Sequence, residues 1–430
     1  MDQRPATGTL ASLRALPAPT RWLLLGIGLA RVASFMIWPF IAVAMNQRFG
    51  TPITEIGAQL ALGAVISIAL SPLSGLLGDR FNTRNLMLLG CALSASCYLV
   101  MGLLPGQTSY FVAIIGMAVS QSILEPLLRM LLSDTAVDAA QRTFLFHIRY
   151  YVVNCAAAIG PLIGLWFANH QSDGVFCIAI GACAMLALTI IHADRARLCN
   201  PHLTQTTSPP LRQIFGAMLR SQLFLSIIVA NFFLVLLYAQ MDEPLTFYLL
   251  QLSVDDINHI IAMMSFTNAA VVLVVHLLLM NWLIALADKT AYLVALACLM
   301  IAHALIALNT EAWWAGWLFA VVFATFAEII VMPLFGTLID RLAPPGMRGS
   351  FIGISMLAGF GSALAPLLGA VVIAQYGGAV LFWGLALTCI PIGLLGYWVL
   401  RASQPELVPA SPRLDGCPWR SDPSRWRQGP

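Results

Sequence analysis

Charge is scarce in this sequence. Asp, Glu, Lys and Arg make up only 10% of its 430 residues, against about 25% in an ordinary soluble domain. Sixty per cent of the residues are hydrophobic and the mean hydropathy is +0.85. A soluble globular domain is therefore excluded, and an integral membrane protein is the reading left. The nine cysteines stand singly, without CxxC or metal spacing, and most lie in apolar runs. That scatter excludes a cysteine metal centre and leaves them as small apolar residues. No nucleotide-binding glycine loop and no His/Cys constellation occurs, so neither an enzyme nor a cofactor is expected. The basic residues follow the apolar runs and form no patch, which excludes a nucleic-acid partner. Residues 1–20 are polar and lack the apolar core of a cleavable signal, so a short cytoplasmic tail is expected.

What is present is apolar sequence in lengths that match a bilayer. A helix needs about 20 residues to cross one, and twelve runs qualify, near 21–46, 53–77, 86–104, 108–131, 146–168, 174–192, 217–240, 257–281, 290–308, 313–337, 350–374 and 379–400. The longest internal break, 193–216, carries Arg195, Arg197, Arg212 and a Ser208-Pro209-Pro210 turn. It divides a six-helix bundle over 21–192 from another over 217–400. Residues 401–430 are rich in Pro, Arg and Ser and read as a disordered tail. With both termini inside, every Lys and Arg except Arg31 and Arg48 falls on the cytoplasmic side. The outer connections hold Glu55, Asp173, Asp242, Glu243, Asp255, Asp256 and Glu311. This asymmetry follows the positive-inside rule.

The two halves echo each other. Ala157-Ala158-Ile159-Gly160-Pro161-Leu162-Ile163-Gly164 matches Ser362-Ala363-Leu364-Ala365-Pro366-Leu367-Leu368-Gly369, 205 residues on, and the Asp134/Arg142 spacing returns as Asp340/Arg348. Ala156, Gly160 and Gly164 lie four residues apart and give one helix face without bulk, which lets a neighbouring helix come close. Pro161, and Pro366 in the copy, predict bends.

The segment Gly75-Leu76-Leu77-Gly78-Asp79-Arg80-Phe81-Asn82-Thr83-Arg84 resembles the signature loop of the major facilitator superfamily. The resemblance places Gly75, Asp79, Arg80 and Arg84 on the motif and implies an inner latch, with Asp79 meeting the start of the eleventh helix around Gly349. Asn82 stands where Gly is usual, and a left-handed conformation is expected there. The second half keeps only Asp288-Lys289 of this loop. The Ala156–Gly164 stretch resembles the motif that the family's drug/proton antiporters carry in the fifth helix. Within the superfamily the chain is similar to the bacterial drug-exporter group that includes MdtH- and YdeE-type proteins. The resemblance implies an all-α fold of twelve transmembrane helices in two pseudo-symmetric bundles, in a bacterial inner membrane, working as a monomer. One departure stands out: where many such antiporters carry Arg in the fourth helix, this chain has Ile114.

A charge in hydrocarbon must pair or face a cavity. Arg31 stands about ten residues into the first helix, roughly 15 Å deep; an anionic substrate group, a neighbouring carboxylate and a structural ion pair are the three readings. Glu328 lies among apolar residues of the tenth helix and is a candidate proton carrier. Glu125 has Arg129 at i+4, a local pair. Asp242 and Glu243 precede Pro244 at the outer end of the seventh run, as proton acceptors in an outward-facing mouth or as a solvated loop. His147 and Arg149 are expected at the inner interface, His276 and His303 as packed residues. Asn154, Asn231, Asn268 and Gln121 are candidate cavity walls, with Phe35, Trp38, Tyr150, Tyr151, Phe232, Phe233 and Tyr238 as a possible aromatic lining. The function implied is proton-coupled export of small amphipathic molecules such as drugs or dipeptides by alternating access. An importer of the same fold is the alternative.

Overall fold

The computed structural model describes residues 16–104, 106–136, 139–170, 173–197, 220–284, 286–310, 313–342, 351 and 354–403. Among these there is no strand, and twelve helices are long and apolar enough to cross a membrane. Hydrocarbon leaves backbone N–H and C=O groups no partner but the helix itself, which is why such runs fold this way. They are α1 (Ala18–Phe49), α2 (Ile53–Arg80), α3 (Thr83–Leu103), α4 (Gln107–Asp134), α5 (Ala139–Asn169), α6 (Gly174–Arg197), α7 (Gln222–Gln251), α8 (Ile257–Ile284), α9 (Asp288–Leu308), α10 (Trp314–Leu342), α11 (Met356–Tyr376) and α12 (Gly378–Ser403). The expected connector 193–216 loses its first residues to α6, which continues to Arg197. An unbroken helix costs no unpaired backbone groups where the chain leaves the bilayer.

The packing repeats. In the first half α1 lies on α5 and α6, α3 on α4 and α6, and α2 on α4. In the second, α7 lies on α11 and α12, α9 on α10 and α12, and α8 on α10. Between the halves α2 meets α11, and α5 meets α8. Exchanging the halves turns one of these contacts into the other, so the bundles are related by a pseudo-two-fold axis running between them.

Small residues set the closest approaches. On α5, a side chain added at Gly160 would come within 2.9 Å of the Val32 carbonyl oxygen, and one at Gly164 would overlap the Met36 carbonyl. α1 therefore packs backbone to backbone on this stripe. In the second half Gly361, Ala365 and Gly369 occupy the equivalent positions; Gly361 meets the α7 backbone at Phe232 and Leu236, and Gly369 meets the Pro244 ring. The helices run without interruption through Pro161 and Pro366. The breaks fall elsewhere, in α1 and α7.

Both breaks come from proline. Pro39 and Pro244 stand 205 residues apart, at equivalent positions of the repeat. Each lacks an N–H and crowds the carbonyl four residues back. α1 tightens there into a 3₁₀ turn, Trp38–Phe40, before resuming as Ile41–Phe49. α7 breaks more sharply. A 3₁₀ turn, Ala239–Met241, leads to Asp242 at φ −95° and ψ −112°, and a second segment, Glu243–Gln251, follows.

The stripe gives a direct prediction. Gly164→Leu should separate α1 from α5 and cost about 3 kcal/mol or more, as overpacking does. Monodisperse protein in detergent should be lost. Gly181→Leu, where nothing stands within 4 Å, should leave the elution profile and melting temperature unchanged.

Candidate functional site

Between the halves lies a cavity of about 330 Å³. This is within the lower part of the range typical of small-molecule sites, about 300–1,000 Å³. α1 supplies Phe35, Trp38 and Ala42, and α5 supplies Ala157. From the other half come Tyr238, Asp242, Glu243 and Thr246 of α7, Ser265 and Asn268 of α8, and Val321, Ala324 and Thr325 of α10. Of the expected aromatic lining, Phe35, Trp38 and Tyr238 take part. Phe232 and Phe233 pack on each other at 5.4 Å, as do Tyr150 and Tyr151 at 6.3 Å. Asn268 is in the wall as expected, Asn154 donates to the Tyr150 carbonyl, and Gln121 lines a smaller pocket inside the first half.

Asp242 and Glu243 are not at an outward mouth. α7 extends to Gln251, so the two acids sit inside the span at its break. The apolar run after Pro244, Leu245 to Leu250, is the helix's second segment and is almost wholly buried. Pro244 can open a helical segment because the first turn has no use for its missing N–H. The positive end of that segment's dipole also favours acids at this point. Asp242 is exposed and lines the cavity. Its carboxylate makes no ion pair or hydrogen bond among the described residues.

Glu243 accepts a hydrogen bond from Trp38 Nε1 at 3.2 Å. Trp38 and Glu243 are 205 residues apart, each next to its break proline, so the bond joins equivalent positions across the pseudo-two-fold axis. Beyond it Ile41–Phe49 touches Glu243–Gln251. These contacts lie on the side of the cavity away from the basic loops. Glu328 stands one hydrogen bond behind the wall. Its Oε2 accepts from Tyr238 Oη at 2.5 Å and from Asn268 Nδ2 at 3.1 Å. The same Asn268 amide reaches Thr325 Oγ1 at 3.0 Å.

The first half treats its charges differently. Glu125 on α4 binds Arg31 of α1 and Arg149 of α5, and Arg129 Nη2 at 2.8 Å. The local pair with Arg129 exists, then, but three arginines share one carboxylate. Arg149 is 14% exposed and is turned toward Glu125 inside the bundle. Arg31 takes the ion-pair reading: it lines the small pocket of the first half with Glu125 and Arg149 and does not line the central cavity.

At the basic end, Asn82 is not left-handed. It adopts φ −61° and ψ 111°, and its side chain caps α3 by accepting from Arg84 N–H at 3.0 Å, as an N-terminal Asn does. Arg84 pairs with Asp194 of α6 at 3.9 Å, and Asp288 pairs with Arg341 at 2.8 Å in the other half. The side chains of Asp79 and Arg80, the surroundings of Gly75, the region around Gly349, and the side chain of His276 lie outside the described residues. His303 is fully buried, its ring centre 5.9 Å from that of Phe382.

The cavity residues that sequence reading missed are Thr246, Ser265, Thr325 and the pairing of Trp38 with Glu243. The 205-residue register of Pro39 with Pro244 is the signal that identifies that pair.

Two outcomes are expected. Glu125→Gln leaves Arg31 and Arg149 without a counter-charge and should cost about 3–5 kcal/mol, read as a sharp fall in melting temperature. Trp38→Phe keeps the ring and loses the donor to Glu243, a bond of about 1.5 kcal/mol or more. In a cysteine-free background, a cysteine at Met264 should then react about tenfold faster with an impermeant maleimide added from the face opposite the basic loops.

Comparison with known proteins agrees with this architecture. The chain is 24% identical over 375 residues to the uncharacterized transporter YdeE of Escherichia coli (strain K12), covering 86% of this chain and 93% of that one. It is 22% identical over 364 residues to a Na(+), Li(+), K(+)/H(+) antiporter of Planococcus maritimus, covering 77% and 84%. A crystal structure of a POT family transporter with a thioalcohol-conjugated peptide superposes with a TM-score of 0.77 over 92% of this chain and all of that one, at 15% identity. Twelve spans in two equivalent bundles around a shared cavity, with a match to the family over residues 23–360, make this chain a member of the Major Facilitator Superfamily.

Proposed function

We propose that this transporter is a proton-coupled exporter of small amphipathic molecules. The observation that carries the reading is Asp242, a carboxylate on the wall of the central cavity with no partner among the described residues. A charge within a membrane protein must pair or face a cavity, and a carboxylate that faces one without a partner can accept either a proton or a substrate group. Occupancy by one excludes the other, which is the condition for exchange. Glu243 stands beside it, and Glu328 lies behind the wall through Tyr238 and Asn268. In this reading these three acids handle the proton, while Arg31 holds α1 to α4.

The relative named as a cation/proton antiporter supports exchange, as does the resemblance of Ala156, Gly160, Pro161 and Gly164 to the antiporter motif. The positive-inside rule puts the basic face and both termini in the cytoplasm of a bacterial cell. Residues 21–192 then rock against 217–400 along the α2–α11 and α5–α8 contacts. The Trp38–Glu243 bond opens as the outer gate, and Gly75, Asp79, Arg80 and Arg84 serve as the inner latch. The transporter works as a monomer.

Inside-out vesicles with a preset pH gradient test this. Adding a transported amphiphile should release protons in the wild type, and Asp242→Asn should reduce that release at least tenfold. Proton flow in the same direction as the solute would make the protein a symporter. Undiminished release in Asp242→Asn would place the carrier elsewhere.

A further inference from the structure

Among the described residues, the charged groups that line the cavity have one sign. Asp242 and Glu243 line it, and no Lys, Arg or His is among its lining residues. Arg31 and Arg149 are bound to Glu125 in the smaller pocket of the first half. Across from the acids stand the rings of Phe35 and Trp38, with Tyr238 on the acids' own helix. Carboxylates attract a cation through charge, and aromatic faces attract it through their quadrupoles. Neither feature offers anything to an anion, because the described walls hold no basic donor for one. A neutral solute would leave Asp242 without a counter-charge.

We infer that the substrate is an organic cation, with a positive nitrogen or phosphorus centre at Asp242 and Glu243 and an apolar body against Phe35 and Trp38. This deepens the antiporter reading and rests on it for the cavity being the transport site. Proton and substrate then share a sign as well as a place. Each can neutralise the same carboxylates, so exchange needs no second site. A zwitterionic dipeptide fits less well, because its carboxylate end finds no basic side chain among the cavity's lining residues.

A size-matched pair of opposite charge tests the inference. Equilibrium dialysis of the purified full chain in detergent, at fixed pH, compares tetraphenylphosphonium with tetraphenylborate, and leucyl-leucine as the zwitterion. Tetraphenylphosphonium should bind at least tenfold more tightly than either. Asp242→Asn combined with Glu243→Gln should erase that preference. Should the double variant fail to fold, Ser265→Lys, which adds a cation to the same wall, should invert it. Equal or tighter binding of tetraphenylborate or the dipeptide would overturn the inference, and so would a cation preference that survives these substitutions. Binding requires no gradient, so the two proposals fail separately. Cation binding without proton release in vesicles rejects antiport alone, and proton release driven by a neutral or anionic solute rejects the substrate class alone.

Discussion

α1 and α7 reach each other at the pseudo-two-fold axis because each is held tightly against its own bundle by a stripe of small residues. Gly160 and Gly164 let α5 touch the α1 backbone; Gly361 lets α11 touch that of α7, and Gly369 makes room for the Pro244 ring. In a membrane, lipid tails are as apolar as the side chains, so close van der Waals approach supplies what the hydrophobic effect supplies in water. With the helices fixed this way, the two break prolines come to equivalent depths. Trp38 and Glu243 then stand within hydrogen-bond distance. Bulk on either stripe displaces the axial helices, and with them the walls of the cavity.

The halves share a scaffold and divide the chemistry. The first gathers three arginines around Glu125 and so satisfies its intramembrane charges locally. The second keeps acids at the break of α7 and leaves Asp242 facing open space. Local satisfaction makes a rigid wall, and an uncompensated acid makes a site that something must occupy. The same symmetry that duplicates the helices thus sets a stable half against a reactive one.

Much of this was legible in the sequence. Low charge and twelve apolar runs specified a helical membrane protein, and the 205-residue echo specified two equivalent bundles. The small-residue stripe was readable because four-residue spacing places side chains on one helix face whatever surrounds them. Glu328, Tyr238 and Asn268 were all recognisable as polar groups within apolar runs. Other features misled. Asp242 and Glu243 ended an apolar run and so were placed at its outer end, as proton acceptors in a mouth or as a loop, and Asn82 in a glycine position read as left-handed although it caps a helix.

The charge pairings between distant segments were not legible. A run of sequence reports the length and polarity of a segment, which together decide whether it crosses a bilayer as a helix. It does not report which groups from distant segments arrive beside one another. Glu125 found Arg31 and Arg149 from 94 and 24 residues away, and Glu243 found Trp38 from 205. The sequence by itself determined the helices, their number and their pairing into halves, because hydrocarbon forces every backbone group to bond within its own segment. Only the tertiary structure decided which charges are neutralised and which face the cavity, because that depends on how each helix is turned about its own axis against its neighbours.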